Sequence, residues 1–303
     1  MLTLKRIYLY AVLGIALAVM LVGLTDVVRV AFDRAGDILD SRSYVSEDMR
    51  TELSWALALV IVATPVFLVH LGLVRRSLRG PAVTAADERA CASRATYFFI
   101  VLVATGFVAG MRLVELGETL IGTLAYGHRA WELGASAAGS LVIGSAWLAH
   151  VWARRRDLYA APEHTAGDWL TRGYLYGALF TAALLACVGV GNVLTVVARS
   201  LLDLRPAWES TIWWEDELAW AVALMLVAAA AWAIHWVFSL RLLRAAPPLG
   251  EAHRASRTRS GYFLAVALAS AAISLLFVST GLSNVFAELT GTWRPTDGSR
   301  LLE

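Results

Sequence analysis

Seven apolar runs dominate the sequence, at about 7–31, 53–74, 95–114, 133–153, 174–198, 218–240 and 261–287. Each is near the ~20 residues an α-helix needs to cross ~30 Å of hydrocarbon. With 58% apolar and only 17% charged residues, the chain carries too much apolar side chain for water to be its main solvent. Strands of a membrane barrel would read as ~10-residue alternating segments, and no such pattern is visible. Backbone groups in lipid must then be satisfied within helices. The expectation is an all-α polytopic bundle of seven transmembrane helices in a single integral membrane domain, 1–303. The first run follows Lys5 and Arg6 and is 25 residues long without a small-x-small cleavage site, so it reads as a retained span and not a leader.

Charge gives orientation. Lys5, Arg6, then Arg75, Arg76, Arg79, Arg89 and Arg94, then Arg154, Arg155 and Arg156, then Arg241, Arg244, Arg254, Arg257 and Arg259 flank alternate loops. The other loops hold Asp33, Asp37, Asp40, Glu47 and Asp48, or Glu209, Glu215 and Asp216. Basic loops face the cytoplasm, which places the N-terminus inside and the C-terminus outside a prokaryotic inner membrane. A net charge of +2, with the basic residues at helix ends, gives no support to nucleic-acid binding. Cys91 and Cys187 form no disulfide framework and no metal-type spacing.

The spans are related to one another. Glu52 and His70, Glu132 and His150, and Glu217 and His235 are each 18 residues apart. Eighteen residues make five helical turns, so glutamate and histidine share one face about 27 Å apart. The histidines sit in F-L-V-H-L-G-L-V-R-R, W-L-A-H-V-W-A-R-R-R and W-A-I-H-W-V-F-S-L-R, apolar segments that run into arginine. The other helices open on Arg6 with Tyr8 and Tyr10, Arg94 with Tyr97, Arg172 with Tyr174 and Tyr176, and Arg259 with Tyr262. Farther along they carry G-L-T-D-V (23–27), G-V-G-N-V (189–193) and G-L-S-N-V (281–285), with G-M-R-L-V (110–114) as a divergent copy. The repeating unit is a helix hairpin, at approximately 5–78, 92–157, 170–244 and an incomplete 257–303. Its period places a further glutamate near 302, and the sequence stops at Glu303, so an eighth helix is expected to be missing, either lost from the gene or cut off in a fragment, with a neighbouring subunit as one candidate to fill its place. Pro- and Gly-containing stretches at 79–88, 160–168 and 245–251 read as linkers.

Three sets of residues are candidates for chemistry. His70, His150 and His235, at one depth, are the residue type that clamps haem b from two sides, that relays protons, or that hydrogen-bonds a carbonyl or headgroup at the interface. Glu52, Glu132 and Glu217 are expected in the first turn of their helices, where a carboxylate meets free N–H groups and the positive dipole end. Asp26, Asn192 and Asn284 occupy equivalent positions toward the outer side, where an intramembrane carboxylate marks a candidate transport site. Asp26 also heads a ladder with Arg29 and Asp33, as Arg112 does with Glu115 and Glu118. No metalloprotease, phosphate-loop, nucleophile-elbow or cysteine-cluster motif appears, so no catalytic residue, no metal site and no resident cofactor is expected.

The Arg-x-Tyr-x-Tyr starts, the Gly-x-x-Asp/Asn-Val steps and the paired hairpins resemble a prokaryotic polytopic membrane family known only as a domain of unknown function. That resemblance spans nearly the whole chain and implies no activity. A single lysine among 26 basic residues fits a GC-rich bacterial source. The expected role is a non-enzymatic structural or accessory subunit of a membrane complex, in contact with the lipid bilayer and with other membrane subunits or further copies of itself. The alternatives are a transporter using Asp26, Asn192 and Asn284, and a haem b electron carrier using His70, His150 and His235.

Overall fold

The computed structural model describes residues 2–39, 47–126, 130–165, 168–201 and 213–290. Seven long helices run α1 (Leu2–Leu39), α2 (Glu47–Leu78), α4 (Ala92–Tyr126), α5 (Ala130–Ala160), α7 (Trp169–Leu201), α8 (Trp213–Leu243) and α10 (Arg257–Leu289). Three short ones, α3 (Ala82–Ala90), α6 (Pro162–Thr165) and α9 (Leu249–Arg254), lie between them, and no strand occurs among the described residues. Six segments, within α1, α2, α4, α5, α7 and α8, are long and apolar enough to cross a membrane. The seventh expected run falls in α10, several of whose side chains lie outside the described residues.

The long helices outrun the apolar segments that announce them. At 1.5 Å per residue α1 is roughly 57 Å long, well beyond a hydrocarbon core. Hydropathy marks only the apolar middle of each helix, whereas the polar ends continue the helix beyond it. At one such end Arg29 of α1 donates to Glu52 of α2 across 3.0 Å. The short helices replace what reads in sequence as plain chain-breaking linkers: Pro81 and Pro248 stand immediately before α3 and α9, where a missing N–H costs nothing.

The helices pack as hairpins, α1 with α2, α4 with α5 and α7 with α8. The first members α1, α4, α7 and α10 stand side by side in a row. Each returning helix then leans on two of them, α5 on α4 and α1, α8 on α7 and α4. The largest core cluster lies where α1, α4 and α5 meet, around Tyr10, Leu13, Leu17, Phe98 and Leu102. Most of each span's remaining surface is apolar and outward-facing, as at Ile61, Leu68, Leu148 and Leu226. In α2 only 11% of the apolar window is buried, the surface a lipid solvent would cover.

Two hairpins close on glycine. A Cβ at Gly23 would stand 2.8 Å from the Ala56 carbonyl oxygen, and one at Gly189 would stand 2.7 Å from the Met225 backbone nitrogen. Small residues of this kind let helices approach where no hydrophobic force pulls them together. Gly189→Val should therefore lower the thermal unfolding midpoint in detergent by an overpacking penalty of about 1–3 kcal/mol. Gly191→Val, a β-branched change in the same helix facing open space, should do much less, and equal losses would contradict the packing account.

Candidate functional site

The three histidines share one geometry. His70 Nδ1 lies 2.8 Å from the Val66 carbonyl, His150 Nδ1 2.7 Å from that of Ala146, and His235 Nδ1 2.7 Å from that of Ala231. A carbonyl only accepts, so Nδ1 carries the proton, and in the neutral ring Nε2 is left as an acceptor. The Tyr97 hydroxyl donates to His150 Nε2 at 2.8 Å, and the Tyr174 hydroxyl to His235 Nε2 at 3.0 Å. In each case the tyrosine belongs to the first helix of the same hairpin and the histidine to the second. At the first hairpin Tyr8 and His70 meet through their rings, 6.0 Å apart. The histidines therefore face tyrosines and not one another, and a metal reaching His150 or His235 would displace a hydrogen bond.

Tryptophan extends the layer between hairpins. Trp147, three residues before His150, donates to the Tyr174 hydroxyl at 2.9 Å, so α5, α7 and α8 are linked in series. Trp232, three residues before His235, donates to the Tyr262 hydroxyl at 3.4 Å and ties α8 to α10. Tyr10 and Tyr97 lie 5.5 Å apart, as do Tyr176 and Tyr262.

Next to this layer lies a buried set of charges. Arg94 donates to Asp157 at 2.6 Å and to the Tyr10 hydroxyl at 3.1 Å, and Tyr10 donates to Glu88 at 2.6 Å. Glu88 also accepts from Arg6 at 2.9 Å. Arg154 bonds Asp168 and, at 2.9 Å, Thr171, and it stands 3.9 Å from Asp157. The guanidiniums of Arg94 and Arg154 both lie over the Phe98 ring, at 4.9 and 5.7 Å. Asp168 caps α7 through the Leu170 N–H. Cys91 sits against Glu88 at 4.0 Å, and burial pushes its thiol up, so the thiol is held protonated as a donor. These contacts tie α1, α3, α4, α5 and α7 into one polar lock. Arg94 and Arg154 belong to it, so they are more than the interfacial charges their sequence positions imply. Glu88, Asp157 and Asp168 are its other half, and their only signal in the sequence is three acids set among arginines.

The remaining candidates are dispersed. Asp26 lies on α1 and Asn192 on α7, with α4 packed between those helices, so the two are not brought together. Asn284 is in α10, with its side chain outside the described residues. Arg29 pairs with Asp33 at 3.6 Å and more closely with Glu52, so the ladder expected from Asp26 is carried by Arg29. Arg112 pairs with Glu115 at 2.7 Å. Glu52 stands in the second turn of α2, which begins at Glu47, and Glu217 in the second turn of α8, which begins at Trp213. The first-turn position expected for both is thus occupied by other residues, Glu215 and Asp216 in α8. Glu132 does fall in the first turn of α5, its side chain lying outside the described residues. Among the described residues no group of three His, Cys, Asp or Glu is placed to hold a metal ion.

One family profile matches the chain over residues 6–126 and 204–302, and its description is a domain of unknown function, DUF5671. No curated protein matches the chain, and no solved structure does.

The lock and the surface pairs should respond differently to mutation. Asp157→Asn leaves Arg94 buried with its carboxylate gone and should cost about 3–5 kcal/mol. Glu52→Gln breaks a pair half open to solvent and should cost about 1 kcal/mol or less. Thermal unfolding in detergent checks both, and equal effects would refute the lock.

Proposed function

We propose that this chain, which belongs to the DUF5671 family, is a non-catalytic subunit of a membrane complex, with seven spans built from a repeated helix hairpin. α10 supplies the seventh span. In this reading the arginine-rich end, with the N-terminus, faces the cytoplasm of a prokaryotic cell, and the chain is anchored in its inner membrane.

The observation that supports this most is the row itself. α5 rests in the groove between α1 and α4, and α8 in the groove between α4 and α7. α10 lies against α7, and α8 reaches it through Trp232, but among the described residues no helix packs along both as α5 does along α1 and α4. Tyr262 stands on α10 where Tyr97 and Tyr174 stand on α4 and α7. It accepts from Trp232, as Tyr174 accepts from Trp147. Its hydroxyl is thereby set to donate to an acceptor on a further helix seated on that face, and in this reading that face belongs to another membrane subunit. A role in assembly also fits the state of the other polar groups, since the histidine layer and the buried charges are engaged in bonds between the chain's own helices.

A photo-crosslinking residue at Leu268 of α10, in native membranes, should give one discrete protein adduct, while the same residue at Val69 of α2 should give lipid adducts only. Lipid adducts alone at both positions would overturn the proposal. Protein made under haem-replete conditions should show no Soret band; a band lost in His150→Ala would instead favour the electron-transfer alternative.

A further inference from the structure

On the seam between α4 and α8 a cavity of about 320 Å³ opens to the surface, lined among others by Phe107, Met111, Arg112, Glu115, Glu118 and Trp220. All of these but Trp220 stand on one stretch of α4. The two helices meet closely beside it: a Cβ at Gly117 would stand 2.9 Å from the Cβ of Ala223. Arg112 follows Arg94 by 18 residues in the same helix, so five turns carry it about 27 Å from the polar lock. That is close to the ~30 Å of a hydrocarbon core, which puts Arg94 and Arg112 at its opposite edges.

The cavity is amphipathic. Toward the middle of the helix its wall is apolar, with Phe107 and Met111 both exposed. Toward the helix end the wall becomes polar. Arg112 donates to Glu115 at 2.7 Å, so those two charges offset one another. Glu118 makes no hydrogen bond or ion pair among the described residues, and Asp216 of α8 lies near enough to add to the negative potential there. Trp220 lines the same space from α8, at the depth where tryptophan meets headgroups, and an indole face attracts cations. The volume is at the lower end of the range of small-ligand sites.

We propose that this cavity binds an organic ammonium group carried on an apolar tail, with Glu118 as its counter-charge, Trp220 as an aromatic wall, and Phe107 and Met111 as the surface along which the tail lies. The ammonium comes from an aminophospholipid headgroup or from a long-chain amine. The site rests on the chain crossing a membrane and is independent of any partner subunit.

Native mass spectrometry of the full-length chain in detergent tests it, with phosphatidylethanolamine, phosphatidylglycerol or dodecylammonium added separately. The two lipids share their phosphate and tails, so a difference between them reads the ammonium. The unaltered chain should retain phosphatidylethanolamine above phosphatidylglycerol. Glu118→Gln should weaken that retention about fivefold, the upper range for one exposed ion pair. Glu163→Gln, at an exposed carboxylate on α6, should leave it unchanged. Dodecylammonium retained by the unaltered chain and lost in Glu118→Gln, with no difference between the lipids, would support the site with a free amine as its source. Phosphatidylglycerol retained as well as or better than phosphatidylethanolamine with no dodecylammonium bound, or equal effects of the two substitutions, would overturn it. Failure of the Leu268 crosslink would leave this result standing, so the two proposals fail separately.

Discussion

A histidine on a returning helix has one ring nitrogen already spent on its own backbone. Nδ1–H closes on the carbonyl four residues back, and the aromatic and polar layer follows from that. With Nδ1 protonated, the neutral ring presents Nε2 as an acceptor, and the hairpin must supply a donor at that depth. Tyr97 and Tyr174 supply it from the facing helices, and Tyr8 meets His70 ring to ring. Trp147 and Trp232, three residues before His150 and His235, then reach the next tyrosine along the row, which ties the second hairpin to the third and the third to α10. In an apolar surround, where helices gain nothing from excluding water, such bonds and close glycine contacts set which faces meet.

The charges act one layer away by the same logic. Arg94, Arg154, Asp157, Glu88 and Arg6 would be costly to bury singly, and together they form a lock that joins the first two hairpins to the start of the third. The α9–α10 corner carries His253 where the α3–α4 corner carries Glu88, stacked on Tyr176 and bonded to its hydroxyl. One end of the row is thus closed by its own charges. The other end carries, in the proposed reading, a face for another helix.

Much of this was legible in the chain. The apolar runs locate the spans, and the Glu–His spacing predicts which residues share a helix face. Histidine and tyrosine were each visible as recurring marks, but sequence alone did not say that they bond to each other, because the pairing depends on how two helices rotate about their axes. Helix ends were misjudged wherever polar residues continue the helix, so Glu52 reads as a first-turn carboxylate while five residues of α2 precede it. The lock was the largest omission. Arg94 on the one hand and Arg154 with Asp157 on the other sit in two segments whose composition reads as basic loops, and only the fold shows that their side chains are buried together. The short helices α3 and α9 were hidden for a related reason, since Pro81 and Pro248 break a helix and begin one with equal ease.

The central claim is that the histidines of the second and third hairpins hold their helices together through Nδ1–H to their own backbone and Nε2 to a facing tyrosine. The most direct test is the nitrogen NMR spectrum of the chain labelled at histidine and placed in lipid nanodiscs near neutral pH. His150 and His235 should each show a protonated Nδ1 and an unprotonated, hydrogen-bonded Nε2, and Tyr97→Phe should shift the Nε2 of His150 while leaving that of His235 in place. A protonated Nε2 at either residue, or signals broadened by a bound iron, would contradict the account.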